Sequence, residues 1–235
     1  MMTKRLTYIT IIVLFLGACK NIPKEKPIIE KQDTTQVKDS TISIVKEEEE
    51  EEFYLTEENA IDFFFNYQKT LTEDKVKVTT NLGSFTVQLY DNVPYHKANF
   101  IYLTKKEYFN NTMFHRVVKN FIIQGGNSDN IKISRKRRTI GKYLLPPDSR
   151  KGHKHHRGTI SMPSSEIDNP HMLASPYEFF IVVTNPGSYH LDGNYTPFGK
   201  VIEGMNVVDL INQQPVDKGD WPSPNIYILK AEVVE

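Results

Sequence analysis

Between residues 75 and 235 most of the apolar residues lie in short runs of strand length, with polar turns between them. In the first two runs, Val76, Val78, Phe85 and Val87 alternate with polar neighbours on either side of an Asn-Leu-Gly turn. This alternation predicts a hairpin with one buried face. Further strands are predicted over residues 113–118, 121–124, 159–162, 179–183 and 197–202, with a closing strand through Ile226, Ile228 and Val233.

Two helices are predicted among these strands. Pro94 suits the first turn of a helix that runs to about residue 106, because the fixed φ of proline is already helical. A second helix, over residues 205–212, carries Val207, Val208 and Ile211. Many short strands with two separated helices are typical of a closed antiparallel barrel, so the fold class is predicted to be mainly β.

The N-terminal residues predict export. An apolar run over residues 6–16 follows two basic residues and is shorter than the about 20 residues that a spanning helix needs. It ends in Gly17 and Ala18, directly before Cys19, and this order resembles the lipobox of bacterial lipoproteins. The resemblance implies a signal peptide over residues 1–18 and acylation of Cys19, for example with palmitate. The protein is then a membrane lipoprotein of the cell envelope, on its periplasmic or cell-surface side. The alternative is ordinary cleavage after Ala18, with Cys19 incidental.

Residues 19–55 are predicted to form an acidic, flexible tether. They are rich in lysine, glutamate and threonine, and residues 47–52 are six consecutive glutamates that repel one another. Such a segment buries too little apolar surface to offset its ordering entropy. An acidic docking site for a basic partner is the alternative.

Residues 56–74 predict a short helix rich in aromatic side chains. Thr56 has the chemistry of an N-cap, and the acidic residues after it favour the start of a helix. We expect this helix to pack on the domain's own surface rather than on a second copy.

Composition excludes several classes of function. The 29 basic and 29 acidic side chains balance, so no nucleic-acid partner is predicted. The single cysteine excludes a disulfide framework and any multi-cysteine metal site. His153, His155 and His156 have a spacing that matches no common ligand set, so no metal is predicted. The basic run over residues 135–138 predicts a solvated loop or a contact with the acidic tether, with a phosphate or anionic-lipid contact as the alternative.

Five segments of the region from residue 75 to residue 235 resemble, in order, the motifs of the cyclophilin family of peptidyl-prolyl cis–trans isomerases. The resemblance implies an eight-stranded antiparallel barrel capped by two helices, and an isomerase that needs no cofactor. The matching segments are FHRVV at 114–118, FIIQGG at 121–126, GTISM at 158–162, EFFI at 178–181, and LDG at 191–193 followed by FGKV at 198–201.

The chemistry of that reaction sets its own requirements. An X-Pro bond isomerises slowly because amide resonance must be broken, a barrier of roughly 20 kcal/mol. In the twisted transition state the proline nitrogen regains a lone pair. A catalyst therefore needs a cationic donor near that nitrogen, an apolar seat for the ring, and polar groups that hold the flanking carbonyls.

The resemblance assigns these parts to individual residues. Arg116 is implied to stabilise the twisted bond, and Gln124 to orient Arg116 and to hydrogen-bond the substrate backbone. Taken alone, Arg116 would more often be part of a surface salt bridge, and the phenylalanines part of the barrel core, but the motif context favours the functional roles. The proline pocket is implied to consist of Phe121 as its floor, with Ile122, Phe180 and Leu191.

Several positions depart from the family pattern. His190 stands where many members have tryptophan, so cyclosporin sensitivity is expected to be weakened, and Tyr195 replaces a frequent histidine with another aromatic wall. Glu178 replaces the usual glutamine and either favours basic residues beside the substrate proline or pairs with a local arginine. Pro163 has no amide hydrogen to offer the substrate peptide, whereas Ser164 has one.

The sequence thus predicts a lipid-anchored peptidyl-prolyl isomerase that assists protein folding at the cell envelope. Its expected partners are proline-containing polypeptides and, through the anchor, a membrane, and the domain is expected to be a monomer. Two alternatives remain at this point. One is a proline-peptide-binding module with little or no turnover, and the other is a structural protein that uses the barrel only as a scaffold.

Overall fold

A computed structural model describes residues 53–164 and 168–235. Within them, eight strands form a closed antiparallel barrel in the order β1-β2-β7-β5-β6-β4-β3-β8, and β8 pairs back onto β1. The predicted fold class is confirmed. The strands are β1 Lys75–Thr80, β2 Gly83–Leu89, β3 Thr112–Val118, β4 Ile122–Asn127, β5 Thr159–Ser161, β6 Phe179–Val182, β7 Pro197–Glu203 and β8 Ile226–Val234. The helices are α1 Ala60–Tyr67, α2 Pro94–Lys105, α3 Ile131–Ile140 and α4 Met205–Asn212, with short 3-10 turns at Gln68–Thr70 and Tyr189–Leu191.

Aromatic side chains fill the interior of the barrel. Phe114 of β3 lies between Phe85 of β2 and Phe179 of β6, with ring centroids 6.4 Å and 5.9 Å away. Phe100 of α2 reaches the same layer, 5.6 Å from Phe179 and 5.4 Å from Phe198. All five rings are almost completely buried. A barrel filled in this way has no room for a ligand inside it, so a binding site must lie on its outer surface.

The two predicted capping helices are present. Helix α2 begins with Pro94, as the sequence predicts, and packs against β7 and β8. Helix α4 follows Gly204, whose φ of 76° lies in the left-handed region that favours glycine. It packs against β2, β3 and β4, so its C-terminal end comes close to the turn between β3 and β4.

Helix α1 packs on α2, which confirms the prediction that it docks on its own domain. Thr56 donates its backbone N–H to the Asn59 side chain at 2.8 Å, and its hydroxyl accepts from the Asn59 backbone N–H at 3.4 Å. This reciprocal pair closes the turn before α1, so Thr56 acts as a cap from a position upstream of Ala60. Phe64 is fully buried and meets the ring of Tyr102 edge-on at 5.9 Å.

The folded domain begins earlier than the predicted boundary. The sequence predicts that Leu55 belongs to the tether, but its side chain is fully buried. Its N–H donates to the Ile140 carbonyl at 2.8 Å and its carbonyl accepts from the Lys142 N–H at 2.9 Å. Leu55 therefore belongs to the domain. The predicted signal peptide, Cys19 and the rest of the predicted tether up to residue 52 lie outside the described residues.

The predicted loop over the basic run 135–138 is wrong, because these residues lie on α3. The Asn130 side chain accepts from the Lys132 N–H at 2.9 Å and caps the start of this helix, and Gly141, with φ 137°, follows its end. Both signals are visible in the sequence. The helix has few apolar positions, however, and buries only Ile133 and Ile140.

None of the helices in the described part of the chain has the length and apolar character needed to span a bilayer.

We expect Phe64→Ala to lower the free energy of unfolding by about 3–5 kcal/mol, because it removes a fully buried ring and leaves a cavity between α1 and α2. Phe65→Ala is the matched control, since the neighbouring ring is 48% exposed and its loss is expected to cost less than about 1 kcal/mol. Urea unfolding measures both. Equal losses in the two variants would contradict the docking of α1.

Candidate active site

A second hydrophobic cluster lies outside the barrel core. We call it the outer cluster. It contains all the residues that the family resemblance assigns to the proline pocket. The pocket phenylalanines are therefore not part of the aromatic interior, which settles the alternative that the sequence left open. The buried members are Ile122, Phe180, Val182 and Leu191, with Val118, Phe121 and Tyr195 packed against them.

The polar and apolar parts of the site form one row across four strands. Arg116 of β3 pairs directly with Gln124 of β4, and Gln124 pairs with Phe180 of β6. Phe180 in turn pairs with Ser161 of β5. Directly paired residues on neighbouring strands have Cβ atoms about 4.5–5.5 Å apart and lie on the same face. The backbone register therefore places a guanidinium, an amide and an aromatic ring side by side.

A β-bulge at His115 turns Arg116 to the outer surface. Phe114 pairs with Gly125 and Arg116 pairs with Gln124, so two steps along β3 correspond to one along β4. In a regular strand, residues two apart point to the same face. Here Phe114 lies in the barrel core, whereas the Arg116 side chain is 44% exposed. The extra residue of the bulge is what separates the two faces.

Arg116 has a weak ionic partner. Its Nε lies 3.5 Å from a carboxylate oxygen of Asp220, and the two side chains are 44% and 40% exposed. The Asp220 carbonyl accepts from the Val117 N–H at 2.8 Å, which ties the loop before β8 to β3. An exposed ion pair is worth about 0–1 kcal/mol. The surface salt bridge that the sequence suggested therefore exists, but it leaves the guanidinium available to a substrate.

Among the described residues, Glu178 forms no ion pair with an arginine, and its close partners are two amides and an imidazole. Its carboxylate accepts from Gln124 Nε2 at 2.9 Å and from Asn127 Nδ2 at 3.0 Å, and His115 Nε2 lies 3.4 Å away. Burial acts to raise the pKa of Glu178, but hydrogen bonds and charge from His115, together with the Gln124 amide, bring it below its usual value. An ionised carboxylate only accepts hydrogen bonds, so it holds the NH₂ of Gln124 and leaves the amide oxygen free to accept.

Helix α4 supports the turn that carries Phe121. The Asn212 side chain accepts from the Asn120 N–H at 2.8 Å and donates to the carbonyls of Val118 at 2.9 Å and Ile122 at 3.2 Å. Sequence analysis missed Asn212. The one available signal is a polar residue at the end of an apolar helix, and nothing local shows what it bonds.

The remaining pocket residues surround Phe121 and Phe180. His190 is exposed and its ring stacks on Phe121 with centroids 5.4 Å apart. Tyr195 meets the Phe180 ring edge-on at 5.5 Å, and its N–H donates to the Leu191 carbonyl at 3.2 Å. The structure therefore assembles these aromatic walls from β6 and from the turn around Leu191.

Ser164 lies beyond the end of β5. It forms an isolated bridge with Ala174, and its hydroxyl accepts from Asn169 Nδ2 at 2.8 Å. The carbonyl of Pro163 accepts from the Ser175 N–H at 2.8 Å. The contact of Ser164 with substrate stays a prediction.

The three histidines do not converge. His153 stacks on Tyr90, His155 bonds Asp192, and His156 bonds the hydroxyl of Tyr189. Within residues 53–164 and 168–235, no three or more His, Cys, Asp or Glu side chains are placed to hold a metal ion.

A cavity of about 680 Å³ lies elsewhere, between α3 and the side chains of Tyr54 and Tyr143, and shares no lining residue with the outer cluster. Its lining therefore includes none of the residues that carry the family resemblance.

Comparison with known proteins assigns the family. The family model of cyclophilin type peptidyl-prolyl cis-trans isomerases matches residues 75–233. This chain belongs to the cyclophilin family. The match covers the whole barrel up to the last residues of β8, and the Arg116–Gln124–Phe180 row lies within it.

Individual cyclophilins agree with this assignment. The peptidyl-prolyl cis-trans isomerase-like 3 of Dictyostelium discoideum is 37% identical over 161 residues, which cover 68% of this chain and 94% of that protein. The isomerase-like 2 protein of Rhizopus delemar is 34% identical over 171 residues, 72% of this chain, which spans only 30% of that relative. A crystal structure of a Cryptosporidium parvum cyclophilin, determined in the presence of the dipeptide Ala-Pro, has a TM-score of 0.57 and 28% identity, and the match covers 68% of this chain and 99% of that one.

We expect Glu178→Gln to lower the free energy of unfolding by about 1–2 kcal/mol at pH 7, because the amide accepts fewer hydrogen bonds from Gln124, Asn127 and His115. The folded-state pKa of Glu178 is lowered, so the contribution of its charge is fully present above the unfolded-state pKa and is lost as the pH falls through the folded-state pKa. The deficit of the variant should therefore shrink in urea titrations as the pH is lowered through the acid range.

Glu57→Gln, at an exposed position before α1, is the control and should change stability by less than about 0.5 kcal/mol at pH 7. A Glu178→Gln deficit of constant size from pH 7 through the acid range would show that the carboxylate charge contributes nothing.

Proposed function

We propose that this cyclophilin domain catalyses cis–trans isomerisation of X-Pro bonds, with Arg116 as the group that stabilises the twisted amide. The observation that carries the proposal is the direct pairing of Arg116 with Gln124 and of Gln124 with Phe180 beside the outer cluster. This pairing puts a cation, an amide and an apolar seat on three neighbouring strands, about 10 Å across at the usual strand spacing. The crystallisation of a related cyclophilin with Ala-Pro supports proline-containing peptides as substrates.

The mechanism needs differential binding only. A proline ring seated on Phe121 and Phe180 fixes one end of the X-Pro bond, and the Gln124 oxygen accepts from a backbone N–H of the substrate. As the bond twists, the proline nitrogen becomes pyramidal, and an N–H of Arg116 donates toward its lone pair. This hydrogen bond is absent in both planar states, so it lowers the barrier rather than the ground state. No covalent bond breaks, and the step therefore needs no cofactor.

We expect Arg116→Ala to lower kcat/KM for a short Ala-Pro peptide by about 100-fold, the usual cost of removing one donor from a transition state. Binding of Ala-Pro should change less than about threefold, because the pocket is intact. Arg138→Ala, on α3, removes an exposed cation outside the site and should leave turnover unchanged. Coupled-protease kinetics and dipeptide titration measure both.

The binding module with little turnover is the alternative function. It would be supported by wild-type protein that binds Ala-Pro without accelerating isomerisation. Turnover that persists in Arg116→Ala would instead remove the arginine from the mechanism.

We further propose that the protein acts on exported polypeptides at the cell envelope, as a monomeric lipoprotein anchored through Cys19. The support is in the sequence: the only cysteine directly follows an apolar run and two small residues, and an acidic segment separates it from Leu55, where the domain begins. Acylation of two sites on one residue gives stable membrane attachment, whereas one chain alone binds reversibly.

We expect Cys19→Ala to abolish incorporation of labelled palmitate and to move the protein out of the membrane fraction of a bacterial host. Isomerase activity of the released protein should be unchanged, since the active site lies within residues 116–195. Wild-type protein that is soluble, unlabelled and begins at Cys19 would support ordinary cleavage and contradict the anchor.

A further inference from the structure

A buried network of three polar side chains lies behind the proline pocket. His155 Nε2 is 2.9 Å from the hydroxyl of Ser161, and His155 Nδ1 is 2.7 Å from a carboxylate oxygen of Asp192. The same oxygen accepts from the backbone N–H of His155 at 2.9 Å. His155 and Ser161 are fully buried, whereas the Asp192 side chain is 27% exposed. We call these three residues the His155 network.

The polarity of the network follows from Asp192. An ionised carboxylate only accepts hydrogen bonds, so His155 carries its proton on Nδ1 and presents a lone pair on Nε2. The Ser161 hydroxyl therefore donates to Nε2. Burial lowers the pKa of His155, and Asp192 acts in the opposite direction but does not cancel this effect. The net lowering of the pKa favours the neutral form. Each hydrogen bond thus has one allowed direction, and removing any member leaves a buried polar group without its partner.

The same order of atoms activates the serine of hydrolases, but that chemistry does not fit here. Ser161 lies within β5 and is fully buried, as is His155, so no acyl group can reach the hydroxyl. The network must act on the fold around it.

Both ends of the network are attached to walls of the pocket. The His155 ring lies nearly parallel to the ring of Phe180, at 12° and a centroid distance of 6.1 Å. Ser161 pairs with Phe180 across β5 and β6. Asp192 directly follows Leu191 and bridges Tyr195. The network therefore joins β5, which pairs with the strand that carries Phe180, to the turn that carries Leu191 and Tyr195.

Two further contacts hold His155 against the same turn. The His155 carbonyl accepts from the Ser188 N–H at 2.7 Å, and His156 forms an isolated bridge with Gly187. These bonds fix the backbone of the histidine segment relative to residues 187–195, so a change at the His155 side chain acts on the pocket rather than on a loose loop.

We propose that His155 is a positioning residue of the isomerase, which holds Leu191 and Tyr195 at the distance from Phe180 that a proline ring requires. This inference rests on the proposed function for its kinetic test, but it also predicts ligand affinity. Side chains that are free to move apart bind the ring less tightly in the ground state and in the transition state alike, so the effect falls on KM and Kd rather than on kcat.

The test uses the full chain with Ser161→Ala, His155→Asn, Asp192→Ala and the double variant Ser161→Ala/His155→Asn. Each single variant should raise KM for an Ala-Pro peptide and Kd for the Ala-Pro dipeptide by about 3- to 10-fold, with kcat within about twofold. The double variant should be no worse than the worse single one, because both remove one network. Asp192→Asn keeps an oxygen that accepts from Nδ1 and should restore most of the affinity.

Val78→Ala separates positioning from general destabilisation. Val78 lies in the barrel core on β1, so its loss should lower the urea midpoint and leave KM unchanged. If His155→Asn does not fold, Ser161→Ala and the two Asp192 variants decide the question. Folded variants with KM and Kd within about 1.5-fold of wild type would overturn the inference.

Failure of the inference can be told apart from failure of the proposed function. Wild-type protein that binds Ala-Pro without turnover would end the proposed function, and the Kd values would still judge the His155 network. Wild-type protein that does not bind the dipeptide would refute both.

Discussion

Backbone pairing between β3 and β4 is the constraint on which the rest of the site depends. The hydrogen-bonded register places Arg116 opposite Gln124, and the bulge at His115 turns Arg116 outward while Phe114 stays in the core. Without that one extra residue, the guanidinium would point into an interior filled with aromatic rings. The arrangement of Arg116 beside Gln124 therefore follows from main-chain hydrogen bonds rather than from contacts between side chains.

Strands β4 and β6 serve two hydrophobic layers at once. Their inward side chains fill the barrel, as Phe179 does, and their outward ones, Ile122 and Phe180, form the outer cluster. Strand alternation makes this possible, because successive residues face opposite sides of one rigid wall. The parts of the pocket that come from turns are held in place by other elements. Asn212 of α4 secures the turn before Ile122, and Asp192 joins its turn to His155.

Two carboxylates control the polar end of the site in different ways. Glu178 is mostly buried and holds the Gln124 amide in one orientation through a direct hydrogen bond. Asp220 is exposed and holds Arg116 only loosely, at 3.5 Å. The difference suits their partners. In the proposed mechanism, an amide that presents its oxygen to the substrate benefits from a fixed orientation, whereas a guanidinium that follows a twisting bond benefits from a partner it can leave.

Sequence alone determined most of the strands, the two capping helices and the positions that match the family motifs. Alternation at Val76 and Val78 was enough for the hairpin, Pro94 for the start of α2, and the family motifs for Arg116 and Phe180, because each of these signals lies within a few neighbouring positions. Helix α3 was missed although Asn130 and Gly141 bracket it, since its packing depends on tertiary contacts that apolar periodicity does not report.

Only the tertiary structure decided which groups support the site. His155 and Asp192 are 37 residues apart in the chain, and Val118 and Asn212 are 94 apart. A histidine, an aspartate or an asparagine has the same local pattern whether it faces solvent or a buried partner. Its role is set when barrel closure brings distant segments together, and that information lies in the register of the strands rather than in any short stretch of residues.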